Sequence, residues 1–225
     1  MLVLKEHEKV VLFSDRVDAG RRLVSALRGL VDKDAIVLAI PRGGVVVGYE
    51  VAKVLGVPLD VIIPRKIGAP GNPELAIGAM TEDGTVLLNE RLVEQLQVSD
   101  YYIKRESAAQ KLEIQRRLKL YRGEVPYPSL ANRDVILVDD GIATGFTMKA
   151  ALASVRKRGA KTVVVAIPVG PPSTIMELEQ EADHVVCLHT PESFYAIGQF
   201  YRDFTQTRDE EVTILLKLIK EPRGD

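Results

Sequence analysis

Short apolar runs recur along the chain, each bounded by Gly or Pro and too short for a buried helix. They are AIVLAI (35–40), LDVII (59–63), DVILV (134–138), TVVVAIPV (162–169) and HVVCL (184–188). Continuous apolarity over five to eight residues predicts strands buried on both faces. Between them lie stretches with helical periodicity, 45–55, 147–159 and 172–181. Strand alternating with helix predicts a parallel sheet covered on both sides, and right-handed crossovers make it a doubly wound α/β core. Ahead of the first run, Leu23, Val24, Leu27, Leu30 and Val31 recur at helical spacing while Arg21, Arg22 and Arg28 fall elsewhere. A helix over 15–30 with Ser14 as its cap follows from that spacing.

Two segments break the rhythm. AIGAMTEDGTVLLN (76–89) reads as a hairpin around Asp83-Gly84. Residues 100–122 read as one long helix whose apolar stripe is Ala108, Leu112, Ile114, Leu118 and Tyr121, and it carries seven Lys or Arg against three acids. A solvated basic face is the expected role of that charge, with contact to RNA or a protein partner as the alternative. Without repeats, low-complexity tracts or a long linker, 1–225 reads as a single domain with an insertion at about 76–122.

Composition narrows the function classes. With 46% apolar residues the chain can build a core, and 30 basic against 31 acidic residues exclude a nucleic-acid binder that works by overall positive charge. The single cysteine, Cys187, can form neither an intramolecular disulfide nor a thiolate metal cluster, and it sits in an apolar run as a small buried hydrophobe would. His7, His184 and His189 are scattered without metal-ligand spacing, and Tyr102 and Tyr121 read as packing residues of the inserted helix. The opening MLVLKEHEKVVLF places charges where a secretory signal needs an apolar core, and no apolar run approaches the ~20 residues of a membrane span. A cytoplasmic protein without a membrane partner is expected. No helix-turn-helix is apparent, which argues against DNA.

The stretch richest in chemistry is VILVDDGIATGFTMKAAL (135–152). A buried strand ends at Val138, the adjacent acids Asp139 and Asp140 follow, then a small-residue loop, then a helix starting near Thr147. Ligands of open parallel sheets bind beyond the carboxyl ends of the strands, where this loop must lie. Gly141, Ala143 and Gly145 let backbone approach a ligand closely, Thr144 and Thr147 offer hydroxyls, and the helix start presents unpaired N–H groups, a combination suited to a phosphate dianion. Asp139 and Asp140 are acceptor-only groups matched to a vicinal diol. Phosphate on one side and ribose hydroxyls on the other describe a 5-phosphoribosyl group. The competing reading, that the acids merely cap the helix, requires one acid rather than two. The loop lacks the Gly-Lys-Ser/Thr ending of a Walker A sequence, and PRGGVVVG (41–48) lacks dinucleotide-fingerprint spacing.

Strand, paired acids, small-residue loop and Thr together resemble the phosphoribosyl diphosphate signature of the type I phosphoribosyltransferases. The resemblance extends over roughly 35–204. It implies that Asp139 and Asp140 hold the ribose diol and that Gly141, Ile142, Ala143, Thr144, Gly145, Phe146 and Thr147 bind the 5-phosphate. PRGG (41–44) follows the first strand, where the family places its diphosphate loop, so Arg42, Gly43 and Gly44 are implied diphosphate contacts. An ordinary strand-to-helix turn is the other reading of PRGG. Arg65 and Lys66 follow the second strand, where orotate and adenine members carry adjacent basic residues on the diphosphate. The implied catalytic set is Asp139, Asp140 and Lys66. The segment 66–80 matches the family's mobile catalytic loop, with Pro70 and Pro73 arguing instead for a rigid turn.

A variable hood completes the family's site, here expected from the N-terminus and 190–206. PESFYAIGQFYRDF (191–204) resembles the base-stacking segment of the 6-oxopurine members, which makes Tyr195 or Phe194 the stacking ring; a core-sealing loop is the alternative. Two departures argue against hypoxanthine or guanine: Ala143 replaces the loop Asp of the 6-oxopurine enzymes, and IPVGPP (167–172) lacks their base-reading Lys. The implied activity is Mg²⁺-dependent transfer of the phosphoribosyl group from phosphoribosyl diphosphate to a nucleobase-like nitrogen acceptor. The metal is held mainly by substrate oxygens rather than by protein ligands, and a homodimer is expected by analogy. A regulator that senses phosphoribosyl diphosphate or a nucleotide without turnover, acting on a partner such as RNA, is the second reading. A hydrolase or phosphorylase of phosphorylated ribose is the third.

Overall fold

In a computed structural model of the protein, residues 12–221 are described. The elements in chain order are α1 (Arg16–Leu27), β1 (Ile36–Ala39), α2 (Gly43–Leu55), β2 (Leu59–Val61), β3 (Arg65–Ala69), β4 (Asn72–Met80), β5 (Val86–Leu88), α3 (Glu90–Gln95), α4 (Asp100–Arg122), β6 (Asp134–Val138), α5 (Phe146–Lys157), β7 (Thr162–Val169), α6 (Pro172–Glu179), β8 (His184–His189) and α7 (Asp209–Leu218). The five predicted apolar runs form one parallel sheet in the order β2-β1-β6-β7-β8. This is the doubly wound α/β architecture that their spacing predicts. No helix among the described residues is long and apolar enough to cross a membrane.

Alternation along the strands divides the core in two. Val37, Ala39, Ile136, Val138, Val164 and Ala166 face α1, α2 and α7, packing with Leu23, Leu27, Val47, Val51 and Val212. The intervening Leu38, Val135, Leu137, Val163, Val165 and Ile167 face α5 and α6, against Met148, Leu152, Val155, Ile175 and Leu178. Each such Val, Leu, Ile or Met side chain contributes about 1.5–3 kcal/mol by leaving water, and both faces must be covered for the strands to read as unbroken apolar runs. From β1 the chain crosses to β2 on one side and later returns as β6 on the other. The crevice at the carboxyl ends of β1 and β6 is therefore the topological switch point.

The insertion forms a second, antiparallel sheet, β3-β4-β5. Its β4–β5 arm is the predicted hairpin, with Asp83-Gly84 in the turn. Segment 66–80, read as a mobile loop, is paired instead: β3 and β4 form a hairpin whose turn contains Pro70-Gly71.

Several expectations are corrected. Asp15, not Ser14, caps α1, its carboxylate accepting from Asp18 N at 2.8 Å, and the helix stops at Leu27. On α4, Ala108 and Leu112 are exposed, while Ile114 and Tyr121 are buried and Tyr102, Ile103 and Leu118 pack beside them. The stripe fails because α4 touches the core along one narrow line and not across a broad face. The strand β8 is half-buried and not enclosed, because it is the edge of the sheet.

Above the carboxyl edge, a third cluster gathers Phe13, Ala19, Val169, Phe200 and Tyr201, flanked by Phe194, Ile197 and Phe204. Residues 12–14 are tied to 200–203 by main-chain bonds, including Phe13 N to Phe200 O at 3.0 Å and Arg202 N to Phe13 O at 2.8 Å. The expected hood contribution of residues 1–11, with His7, lies outside the described residues.

Candidate active site

At the switch point the strand ends are stitched directly together: Ile40 N donates to Val138 O at 2.8 Å, so the segments leaving β1 and β6 start side by side. The PRGG turn opens α2, with Arg42 at its cap position and Gly43 and Gly44 as its first residues. Both glycines are needed for close approach. A Cβ on Gly43 would lie 1.9 Å from Asp140 Oδ2, and one on Gly44 would lie 3.0 Å from Asp139 Oδ1. Only hydrogen fits between this turn and the acid pair.

The acids differ in setting. Asp140 Oδ2 accepts from Arg16 Nε at 2.7 Å, and Tyr201 Oη donates to its main-chain oxygen at 2.6 Å. The Arg16 guanidinium stacks 3.9 Å over the Phe204 ring and donates to Thr205 O at 2.8 Å, which fixes its position. Asp139 Oδ1 accepts from Asp140 N at 2.8 Å. Burial, and then the charge of Asp140, push the Asp139 carboxyl well above the usual carboxylate range. Burial, reinforced by Asp140, also raises the Tyr201 hydroxyl, which keeps it a proton donor.

The loop behind the acids is built on two small-residue requirements. Gly145 caps α5 in the left-handed region, at φ 74°, and a Cβ there would meet Thr174 Cγ2 at 2.8 Å. Thr174 Oγ1 donates to Ala143 O at 2.8 Å and holds the loop from α6. Ile142 is buried, and its amide is committed to Val169 O at 2.9 Å. The amides of residues 143–147 have no protein acceptor among the described residues. They open onto a helix start, where partial positive charge favours an anion.

Beside this loop a cavity of about 370 Å³ brings together Pro41, Arg65, Lys66 and Thr147. Ends of β1 and β2 and the start of α5 thus meet at one edge. The site combines an acid pair, the unpaired amides of the loop behind it and the cations of the cavity that adjoins this loop.

Comparison with known proteins identifies the family. The family description "Phosphoribosyl transferase domain" matches residues 15–205. The chain belongs to the phosphoribosyltransferase family. Two relatives from Mycobacterium tuberculosis strains, named provisionally as phosphoribosyl transferases, are 47% identical over 205 residues, 91% of this chain and 46% of theirs. The chain thus spans about half the length of these curated relatives. A solved structure, TT1426 from Thermus thermophilus, is 44% identical with TM-score 0.78, covering 92% of this chain and 98% of that one. The AQ2163 protein from Aquifex aeolicus, 13% identical with TM-score 0.50 over 81% of this chain and 78% of that one, shares the fold.

Within this phosphoribosyltransferase fold the sequence-predicted residues fall into three groups. Asp139, Asp140, Gly43, Gly44 and the loop 141–147 converge at the switch point, and Arg65 and Lys66 line the neighbouring cavity. Arg42 instead turns toward α7, with Nη1 3.9 Å from Asp209 Oδ1, a carboxylate that also accepts from Tyr121 Oη. In the hood, Phe194 packs on Phe200 with ring centroids 5.5 Å apart, whereas Tyr195 is 83% exposed. Contributors that sequence analysis did not name include Arg16, Thr174, Arg117 on the cavity wall and, within the segment read as hood, Tyr201. Their roles depend on tertiary contacts between segments far apart in the chain. Spacing shows nothing of that kind.

Proposed function

We propose that this chain transfers the 5-phosphoribosyl group from phosphoribosyl diphosphate to a nucleobase-like nitrogen acceptor and releases pyrophosphate. The observation that supports the reading is the contact of Gly43 and Gly44 with the acid pair, because it sets the turn read as the diphosphate loop against the carboxylates read as the diol site, next to a loop whose amides are unpaired. Asp139 and Asp140 accept the ribose hydroxyls, the amides of 143–147 with Thr144 and Thr147 hold the 5-phosphate, and Arg65 and Lys66 face the diphosphate. The C1–oxygen bond to diphosphate breaks as the C1–nitrogen bond forms, the electron pair leaves with pyrophosphate, and the acceptor nitrogen yields its proton to solvent. The protein contributes position and electrostatics, with cations where negative charge accumulates on the leaving group. Arg42, drawn toward Asp209, is assigned a supporting place at the rim of this end.

The donor set fits a magnesium ion that arrives with substrate. Two adjacent carboxylates stand at the diol position, and no group of three or more His, Cys, Asp or Glu among the described residues could cage a metal. Asp139 and Asp140 are the residues that would share such an ion with substrate oxygens, and bound magnesium would offset charge on the diphosphate.

One contact favours the second reading, a sensor that binds without turnover: Arg16 already pairs the Asp140 carboxylate. Incubation with phosphoribosyl diphosphate, Mg²⁺ and a panel of bases separates the two. Pyrophosphate release with one acceptor class supports the enzyme, and tight binding with none released supports the sensor. The Asp140→Asn variant is expected to lose both binding and release, and unchanged binding in it would remove the site assignment. Cytoplasmic location and a homodimer belong to the same proposal, the latter checked by light scattering.

A further inference from the structure

The inserted helix α4 reaches the site with charge that the reading above does not use. The cavity beside the phosphate loop is closed on its outer side by Gln110 and Arg117 of α4. Gln110 is a bridge: its Oε1 accepts from Arg65 Nε at 2.9 Å, and its Nε2 donates to Glu106 Oε1 at 2.7 Å. Among the described residues Arg117 is held by one nitrogen only, Nε to Glu113 Oε1 at 2.8 Å. Its terminal nitrogens, those of Arg65, and the Lys66 ammonium have no protein acceptor among the described residues. Glu106 and Glu74 also border the cavity, so three cations face two carboxylates, one of which is engaged by Gln110 and the other exposed. Burial, and then the charge of Arg117, depress the basicity of Arg65, a crowding of cations that an anion in the cavity would relieve. Such donor-rich walls without matching acceptors are suited to a polyanion, and guanidinium forks bind phosphate oxygens in pairs.

We propose that α4 is a wall of the substrate site and that Arg117 is a specificity-determining residue that recognises a diphosphate, as against a monophosphate, at the departing end of the ligand. This rests on the phosphoribosyl diphosphate reading and extends it to the insertion. A ligand carrying only a 5-phosphate occupies the amides of 143–147 and leaves this cavity empty. A ligand with a diphosphate at C1 fills both.

Calorimetric titration of the whole chain with Mg²⁺ and three probes tests the proposal: phosphoribosyl diphosphate, inorganic pyrophosphate and ribose 5-phosphate. In Arg117→Gln, affinity for the first two is expected to fall about 10- to 100-fold, the scale of a lost charge-assisted hydrogen bond, with ribose 5-phosphate unchanged. Arg116→Gln is the control, because Arg116 shares Glu113 but lies on the exposed side of α4 and off the cavity. Equal weakening of all three probes in Arg117→Gln, or none while the parent protein binds phosphoribosyl diphosphate, overturns the role of Arg117 and leaves the functional reading standing. Failure of the parent protein to bind phosphoribosyl diphosphate overturns both.

Discussion

Arg16 and Asp140 stand 124 residues apart in the chain and meet at 2.7 Å in the crevice between β1 and β6, their side chains 11% and 13% exposed. The guanidinium is clamped on Phe204 and Thr205, so the contact sets the direction of the carboxylate as well as its charge. Removing one partner of an enclosed pair strands the other. Arg16→Met is expected to lose about 3 kcal/mol, seen as a fall in Tm of roughly 6–12 °C for a chain of this size. Arg16→Met/Asp140→Asn is expected to recover a large part of that loss, because no charge is then buried alone. A double variant no more stable than Arg16→Met, in urea titration, would show that the pair is not coupled.

Gly43 tests whether the turn and the acids are one unit. A methyl at this position meets Asp140 Oδ2 at 1.9 Å and Arg16 Nε at 2.6 Å, so Gly43→Ala must push the carboxylate off the diol position. Binding of phosphoribosyl diphosphate is expected to weaken by roughly 100-fold or more, in keeping with loss of about 3 kcal/mol. Gly44→Ala, whose contacts begin at 3.0 Å, is expected to be milder. Titration of both variants decides the matter, and equal affinities would contradict the geometry.

What the chain discloses in advance is whatever depends on local pattern. The runs from 134 to 138 and from 162 to 169 are the observed β6 and β7, and α4 spans Asp100–Arg122 as its periodicity predicts, because burial on two faces and helical repeat are written residue by residue. The buried line of α4 is not legible, since Leu112 is as apolar as Ile114 and only the docking of the helix distinguishes them. Among site residues, the acids and glycines are legible because strand ends share an edge. Arg16 is not, because nothing near Asp15 or Val17 indicates a partner at 140. The β3–β4 pairing is hidden by Pro70 and Pro73, which read as a loop, yet Pro70 lies in the hairpin turn and Pro73 is the second residue of β4, which tolerates it at its exposed end.

Asp139 illustrates a cost of function. An unfolded Asp ionises near 3.9, whereas burial and the neighbouring Asp140 hold the folded group protonated to a higher pH. Its folded value is thus raised, and stability falls as pH rises from about 4 through that value. Asp139→Asn retains an oxygen for the Asp140 amide and removes the penalty. We expect its Tm to exceed that of the parent by a few degrees at pH 7, with the gap closing below pH about 4, while phosphoribosyl diphosphate binding declines. Differential scanning calorimetry at the two pH values reads the effect, and a gap independent of pH would refute it.

The hairpin turn carries the opposite sign. Burial would raise the Asp83 carboxyl, but hydrogen bonds from Thr81 Oγ1 at 2.6 Å, Thr85 Oγ1 at 2.8 Å and Thr85 N at 3.1 Å outweigh it and hold the group well below the usual range. This stability is present above the unfolded value near 3.9 and is lost as pH falls through the folded one. Thr85→Val is expected to cost about 1.5 kcal/mol at pH 7, and the difference should shrink as the solution is acidified below pH about 4. Urea unfolding at matched pH values measures it.

In the hood, two adjacent rings divide packing from recognition. Phe194 lies against Phe200 in the aromatic cluster, whereas Tyr195, 83% exposed, is tied among the described residues only through its amide, which donates to Gln199 Oε1 at 3.0 Å. Gln199 also accepts from Ala196 N and donates to Ser193 O, so the backbone that presents Tyr195 is fixed while the ring is free. Tyr195→Ala is expected to leave Tm within about 1–2 °C, as exposed substitutions do. Loss of a stacking ring worth ~1–3 kcal/mol should raise KM for the acceptor about 5- to 160-fold. Phe194→Ala should do the reverse, costing about 2 kcal/mol of stability as a half-buried aromatic with little change in acceptor KM once folded. Steady-state kinetics beside thermal melts separate the outcomes. An acceptor KM that rises in Phe194→Ala and stays constant in Tyr195→Ala would move the stacking role to Phe194 and require the hood to open when the acceptor binds.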